Sequence, residues 1–143
     1  MISRSLNHSV YCHQYHLVWG TKWRRQFLQE YVKNEFVIYV KRFVARYPTL
    51  HLRAVNTDKD HVHIQMEIPP NIAVSKVVQK LKIETSKNIK KRFKFVREMY
   101  LERGVWAVGF FSSTLGLNDE MIEKYIAYQG RQNKEKQVKL LNI

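Results

Sequence analysis

Cysteine is almost absent: Cys12 stands alone among 143 residues. No internal disulfide can form, and no Cys-x-x-Cys pair is available for zinc or thiol redox chemistry. A reducing, cytoplasmic setting fits that usage. Glycine and proline are also scarce, at five and three. With no low-complexity run and no repeat, this excludes collagen-like, solenoid and disordered classes. No uninterrupted apolar stretch of about 18 residues is present, and the N-terminus lacks the apolar block of a secretory signal, so no membrane partner is expected. Acidic residues are outnumbered, 12 Asp plus Glu against 25 Lys plus Arg, for a formal net charge of +13. Such an excess calls for a polyanion, either nucleic acid or anionic lipid. What is plentiful is apolar: 45% of residues are hydrophobic. At this length one domain is expected over residues 1–143, able to bury roughly 68–70% of its unfolded surface.

The chain alternates strand and helix signals. Residues 9–20 are rich in aromatic and β-branched types and end at Gly20, which predicts a first strand. Leu28, Val32, Phe36, Val40, Phe43, Val44 and Tyr47 follow helical spacing, and Pro48 stops that helix. Leu50, Leu52 and Ala54 alternate with His51, Arg53 and Val55, a half-buried strand that closes in the turn Asn56 to Asp60. From His61 to Ile68 the alternation is complete, with Val62, Ile64, Met66 and Ile68 on one face and His61, His63, Gln65 and Glu67 on the other. Pro69-Pro70 ends it. Val74, Val77, Val78, Leu81, Thr85, Ile89 and Phe93 trace the stripe of a second long helix. A charged connection then leads to a fourth strand over 105–114. A turn at Leu115-Gly116-Leu117 precedes Asn118, an N-cap with Asp119 and Glu120 in the first turn of a short last helix. Residues 131–143 read as helical extension or tail beyond a core of about 9–130. The order strand, helix, strand, strand, helix, strand predicts an α+β, ferredoxin-like βαββαβ sandwich with an antiparallel sheet and an added C-terminal helix.

Two features carry chemistry. His61 and His63 leave the same strand face about 7 Å apart along the backbone. Two imidazoles without thiolates can share one divalent ion and leave positions for oxygen ligands or phosphate. A His-x-His pair is equally what a solvated strand face carries. On the last helix, Tyr125 and Gln129 are four apart and share a face. A phenol near pKa 10 is a poor nucleophile at neutral pH, but a phosphate polarised by a metal makes it a useful one. Tyr125 could equally be one of eight tyrosines packing against a sheet.

Taken together, His61-Val62-His63, the segment Trp106 to Gly116 and the helix Tyr125-Ile126-Ala127-Tyr128-Gln129 resemble the IS200/IS605-family transposases, the small single-tyrosine members of the HUH nuclease superfamily. Tyr15-His16-Leu17-Val18-Trp19-Gly20, with Lys22 to Arg25, is similar to that family's opening strand and basic turn. The resemblance covers about Ser9 to Gln129. It implies that His61, His63 and Gln129 hold one Mg²⁺ or Mn²⁺. It also implies that Tyr125 attacks a phosphodiester of single-stranded DNA to give a 5′-phosphotyrosine and a free 3′-hydroxyl for strand transfer, and that DNA hairpins at element ends are the substrate. A homodimer with active sites assembled in trans is a further implication. The family usually has Glu-Asn where this chain has Ala127-Tyr128. Helical geometry turns Tyr128 about 60° away from the Tyr125 and Gln129 face, a poorer candidate, so Tyr125 stays the expected nucleophile. Asp60 and Glu67 are candidates to orient a histidine ring or assist the metal.

Charge is concentrated. Residues 76–97 hold nine Lys or Arg and one acid, Glu84, a local +8. Lys76, Lys80, Lys82, Lys87, Lys90, Lys91 and Arg92, with Lys22, Arg24, Arg25 and Arg53, are the expected phosphate contacts. Two other readings stay open on residues alone: a non-catalytic module for single-stranded nucleic acid, and a metal-dependent hydrolytic nuclease in which Tyr125 only packs.

Overall fold

The structure, a computed structural model, describes residues 4–6, 9–11, 13–114 and 116–129. Cys12, Leu115, Gly130 and the expected tail over 131–143 lie outside the described residues. β1 (Arg4–Leu6) and β2 (Ser9–Tyr11) pair antiparallel as a small separate sheet. The main sheet has the order β4-β5-β3-β6, built from β3 (Gln14–Gly20), β4 (His51–Thr57), β5 (His61–Glu67) and β6 (Phe111–Ser113). All three pairings are antiparallel. α1 (Glu30–Ala45) and α2 (Val74–Arg92) are the crossover helices, which completes the expected βαββαβ sandwich. Among the described residues no helix is long and apolar enough to cross a membrane.

Periodicity explains the layers. In β5 the apolar set Val62, Ile64, Met66 and Ile68 is wholly buried and meets Val32, Phe36, Val40 and Phe43 of α1 and Val77, Val78, Leu81 and Ile89 of α2. Each such side chain contributes roughly 1.5–3 kcal/mol of hydrophobic stabilisation. β3 adds Leu17 and Trp19 to this core. Val18 points the other way, into a second cluster with Ile122 and Ile126 of α4, the helix over residues 119–129. The sheet is therefore covered on both faces, by α1 and α2 on one and by α4 on the other. Asn118 caps α4 as its sequence position predicted, its Oδ1 accepting from Met121 N at 2.9 Å.

Four expectations change. The first strand is not continuous over 9–20: β2 turns away to pair with β1, and β3 begins at Gln14. The register in β4 shifts between Leu52 and Ala54, a bulge at Arg53, so Ala54 pairs with Gln65 and Val55 with Ile64. One extra residue reverses the alternation; Val55, not Ala54, then lies over the core. The charged connection after α2 contains a further helix, α3 (Lys94–Met99), because Phe93 in an extended conformation ends one helix and starts the next. Finally, 105–114 is not one strand. Only Phe111–Ser113 joins the ladder, and residues 105–109 are held by side chains of α2.

Candidate active site

The face of the sheet opposite the main core carries His16, Val18 and Gly20 from β3 and His61, His63, Gln65 and Glu67 from β5, with Gly20 paired to His61 and Val18 to His63. Helix α4 lies on this face. Its stripe Ile122, Ile126 and Gln129 is buried, while Tyr128 is half exposed. Gln129 anchors the helix. Its Oε1 accepts from Gly20 N at 2.8 Å, and its Nε2 donates to Val108 O at 2.9 Å and Gly109 O at 3.1 Å. Gly20 is small for this reason: a Cβ there would stand 2.9 Å from Gln129 Oε1 and 3.4 Å from Asp60 O. Gly109 has φ +91°, a left-handed conformation that favours glycine, and a Cβ there would meet the Tyr125 hydroxyl at 3.7 Å. Tyr125 and Gln129 thus reach the same loop one helical turn apart, Tyr125 against Phe111 with ring centroids 5.5 Å apart. Burial, with the Tyr128 phenol adding, pushes Tyr125 up to about 12, so it is a neutral phenol at neutral pH.

The histidines have distinct supports. His61 is buried, and its Nδ1 lies 2.9 Å from Asp60 Oδ1. Asp60 Oδ2 in turn accepts from Arg24 Nε and Nη2 at 3.3 and 3.2 Å. The His61 contact, reinforced by Arg24, holds the Asp60 carboxyl below the ordinary carboxylate range in spite of burial. A carboxylate on one ring nitrogen fixes the imidazole tautomer and leaves Nε2 as a lone-pair donor. Arg24 and its neighbour Trp23 have φ of 54° and 59°, left-handed values that cost non-glycine residues energy. Packing holds them there: Trp23 stacks on Tyr100 at 5.9 Å, the Arg25 guanidinium lies over both rings, and Tyr100 Oη donates to Lys22 O at 2.7 Å. His63 Nε2 lies 3.1 Å from His16 Nδ1. Burial first, then the neighbouring His16 and His61, holds His63 below the usual imidazole range, so its ring is neutral at neutral pH. β3 thus contributes a histidine that the His-x-His motif alone did not single out, although alternation from Val18 places it on the same face.

The donor set fits a divalent ion. Imidazole, carboxamide and carboxylate, with no thiolate, suit a divalent ion that keeps positions open for oxygen ligands. One set of donors already converges: ligand atoms of Asp58, His61 and Glu123 lie within 4.8 Å of one another, with Asp58 and Glu123 exposed and His61 buried. This set shares only His61 with the trio His61, His63 and Gln129, and sequence reasoning missed its carboxylates because Asp58 sits in a turn and Glu123 is 65 positions further along. Gln129 Oε1 accepts from Gly20 N, and a carboxamide oxygen carries two lone pairs. Glu67 stands at the far end of β5 from His61, roughly 20 Å along the strand, and its buried carboxylate is bound by Arg4 at 2.8 Å. Asp60, by contrast, touches a histidine ring directly.

The basic residues divide. Arg53, Lys76, Lys80, Lys87, Lys91 and Arg92 are exposed, Arg92 lying 3.7 Å from Glu35. Lys87, Lys90 and Arg103 line a cleft of about 740 Å³ between α2 and residues 103–106 that contains no acidic residue. Several cations, Lys90 among them, are tied to oxygens of the protein itself. Lys22 Nζ donates to Arg103 O at 3.0 Å, Arg24 holds Asp60, Arg25 bonds Met99 O, and Lys90 donates to Glu102 O at 2.6 Å. Lys82 donates to Ala107 O at 2.6 Å and Gly109 O at 2.9 Å. A charge count cannot separate a cation facing solvent from one facing a carbonyl.

Comparison with known proteins places this geometry among relatives. The family described as "Transposase IS200 like" matches residues 9–129. The transposases for insertion sequence element IS200 of Salmonella typhimurium and Salmonella typhi are each 30% identical over 132 residues, covering 92% of this chain and 86% of the relative. A crystal structure of a Deinococcus radiodurans protein classed as a transposase superposes with a TM-score of 0.76 at 23% identity, covering 88% of this chain and 97% of the other. A REP-associated tyrosine transposase bound to a REP hairpin gives a TM-score of 0.55 at 10% identity, covering 86% and 68%. These two structures share the fold.

Proposed function

Because the chain belongs to the IS200-like transposase family of DNA-processing enzymes, we propose that it cuts and rejoins single-stranded DNA at hairpin-bearing element ends, with Tyr125 as the nucleophile. The observation that carries this reading is the seating of α4. One helix brings Tyr125 and Gln129 to the loop at Gly109, and Gln129 extends from there to the strand pair that bears His61. Tyr125 Oη forms a bond to phosphorus, the P–O3′ bond breaks, and the phenolic proton is balanced by protonation of the released 3′ oxygen. The phosphotyrosine retains the energy of the broken ester, so a 3′-hydroxyl can reverse the step on another strand without an added energy source.

His61 and His63, with Gln129 Oε1, would hold the divalent ion, and Asp58 and Glu123 stand near enough to His61 to add oxygen donors. Such an ion, when bound, polarises the phosphodiester and stabilises charge developing on its oxygens. Asp60 keeps the His61 ring in one tautomer, and Arg24 keeps Asp60 ionised. Burial keeps Tyr125 protonated until a phosphate is beside it. The acid-free cleft lined by Lys87, Lys90 and Arg103, with the exposed Lys76, Lys80, Lys91 and Arg53, offers the phosphate grip. Binding of a REP hairpin by the REP-associated transposase supports a folded single strand as the substrate.

In this chain α4 covers its own sheet, a cis arrangement, whereas the family resemblance implied trans. Both fit one dimer if α4 exchanges between two chains. We therefore expect a sedimenting mass of twice 17.2 kDa, and a monomer would refute exchange. The decisive test is incubation with Mn²⁺ and labelled single-stranded hairpin DNA. A denaturation-resistant protein–DNA adduct that Tyr125→Phe abolishes is the expected result. Cleavage without adduct would instead identify a hydrolytic nuclease.

A further inference from the structure

Helix α2 does more than close the core. Lys82, Thr85 and Ser86 share one face of it and together hold the non-strand segment 105–109. Ser86 Oγ accepts from Val105 N at 3.0 Å, Thr85 Oγ1 accepts from Trp106 Nε1 at 3.0 Å, and Lys82 Nζ donates to Ala107 O and Gly109 O. The carbonyls of 107, 108 and 109 are shared out between two side chains. Lys82 takes 107 and 109, and Gln129 Nε2 takes 108 and 109. The circuit closes through β3, where Ala107 N donates to Gly20 O and Gly20 N donates to Gln129 Oε1.

We propose that Lys82 is a positioning residue for Gln129: by fixing the carbonyls of Ala107 and Gly109, on either side of Val108, it dictates which end of the Gln129 carboxamide faces the loop and which faces the histidine strand. The chemistry is one of donor and acceptor matching. A carboxamide has an NH₂ end that only donates and an oxygen that only accepts. With the carbonyls of 108 and 109 held in place, only the NH₂ can turn toward them. The oxygen, the end that can ligate a cation, must then turn toward Gly20 and its partner strand position His61. If the loop were free to rotate its peptides, either end of the carboxamide could satisfy it. Ammonium-to-carbonyl bonds are charge-assisted and stronger than neutral ones, which suits a fixing role. Although burial pulls Lys82 down to about 8, it is still mostly charged at neutral pH. Lys82 thus leaves the set of phosphate contacts to which its position in the basic run had assigned it.

The proposal rests on the strand-transfer reading for its activity readout, and the experiment separates the two. Lys82→Met is compared with Lys82→Arg, which keeps the charge and the donors. For Lys82→Met, the single-turnover rate of adduct formation with hairpin DNA falls roughly 10- to 100-fold. Its hairpin Kd, measured in chelator, stays within about twofold, and the salt dependence of Kd keeps its slope. Lys82→Arg recovers most of the rate. In parallel, the side-chain amide resonances of Gln129 in nitrogen-15 NMR shift in Lys82→Met without DNA or metal present. A weaker Kd with a salt slope shallower by about 0.7 and an unchanged rate would make Lys82 a phosphate contact and overturn the proposal. Unmoved Gln129 resonances would overturn it as well. If wild-type protein forms no adduct, the strand-transfer reading fails, while the Gln129 resonances still decide the positioning role. Should Lys82→Met not fold, Lys82→Gln, which keeps a neutral donor, takes its place in the same measurements.

Discussion

Replacing Gly20 by alanine tests how the tyrosine helix is held. Gly20 is not among the residues with left-handed backbone, so an added methyl meets a problem of space alone. It would stand 2.9 Å from Gln129 Oε1, 3.4 Å from Asp60 O and 3.5 Å from Ile126 Cδ1. Two of these three neighbours belong to α4. β3 is held in the sheet by its neighbours, so the Gln129 carboxamide must give way. The Gly20 N–H then loses its only side-chain acceptor in a buried setting, a cost of about 1–3 kcal/mol for an unmet donor. If that cost falls on docking alone, the population with α4 lifted rises roughly 5- to 150-fold. Amide exchange reads this directly. Protection of residues 122–129 should fall by that factor in Gly20→Ala, while Val62 to Met66 in the core strand keep theirs. Equal loss in both segments would mean that the whole fold, and not the helix, absorbed the methyl. Unchanged protection in α4 would refute the anchoring role of Gln129.

Other outcomes follow from the same geometry. Asp60→Asn removes the carboxylate that orients His61, so Mn²⁺ affinity by titration calorimetry should weaken about 10- to 100-fold; unchanged affinity would show that the ring needs no support. Tyr125 has a raised folded pKa, so the stability it contributes is complete below pH 10 and is lost as pH rises through 10 toward 12. The phenolate absorbance of wild type minus Tyr125→Phe should therefore titrate near 12. A midpoint near 10 would mean that α4 does not bury the ring.

Much of this architecture could be read from residue order, and the failures have a common physical cause. The alternation of His61 to Ile68 separated core from chemistry because a pleated strand obeys a period of two whatever packs on it. The stripes of α1 and α2 and the Asn118 cap were legible on the same local terms. What escaped depends on contacts distant in sequence. Residues 105–109 have the composition of a strand, yet much of their backbone is satisfied by the side chains of Lys82, Ser86 and Gln129, and the Trp106 indole by Thr85. The bulge at Arg53 is an offset against β5 that no single-strand pattern records. For the candidate site, Tyr125, Gln129, His61 and His63 could be picked out by type and spacing. The parts that orient them, Arg24 behind Asp60, His16 beside His63 and Gly20 beneath Gln129, are ordinary residues until the sheet brings them together.

The hydrogen bond between Gly20 and Gln129 joins residues 109 positions apart, and this bears on the order in which the molecule assembles. Closing so long a loop costs more chain entropy than the nearer pairings of β4 with β5 or of α1 with β4. The body from β3 to α2 can form first from those nearer contacts, and α4, which buries little beyond Ile122, Ile126 and Gln129, then arrives with β6 on a sheet largely made. On that order the docking of α4 comes late, and until it happens Tyr125 and Gln129 stand apart from the histidine strand that α4 covers.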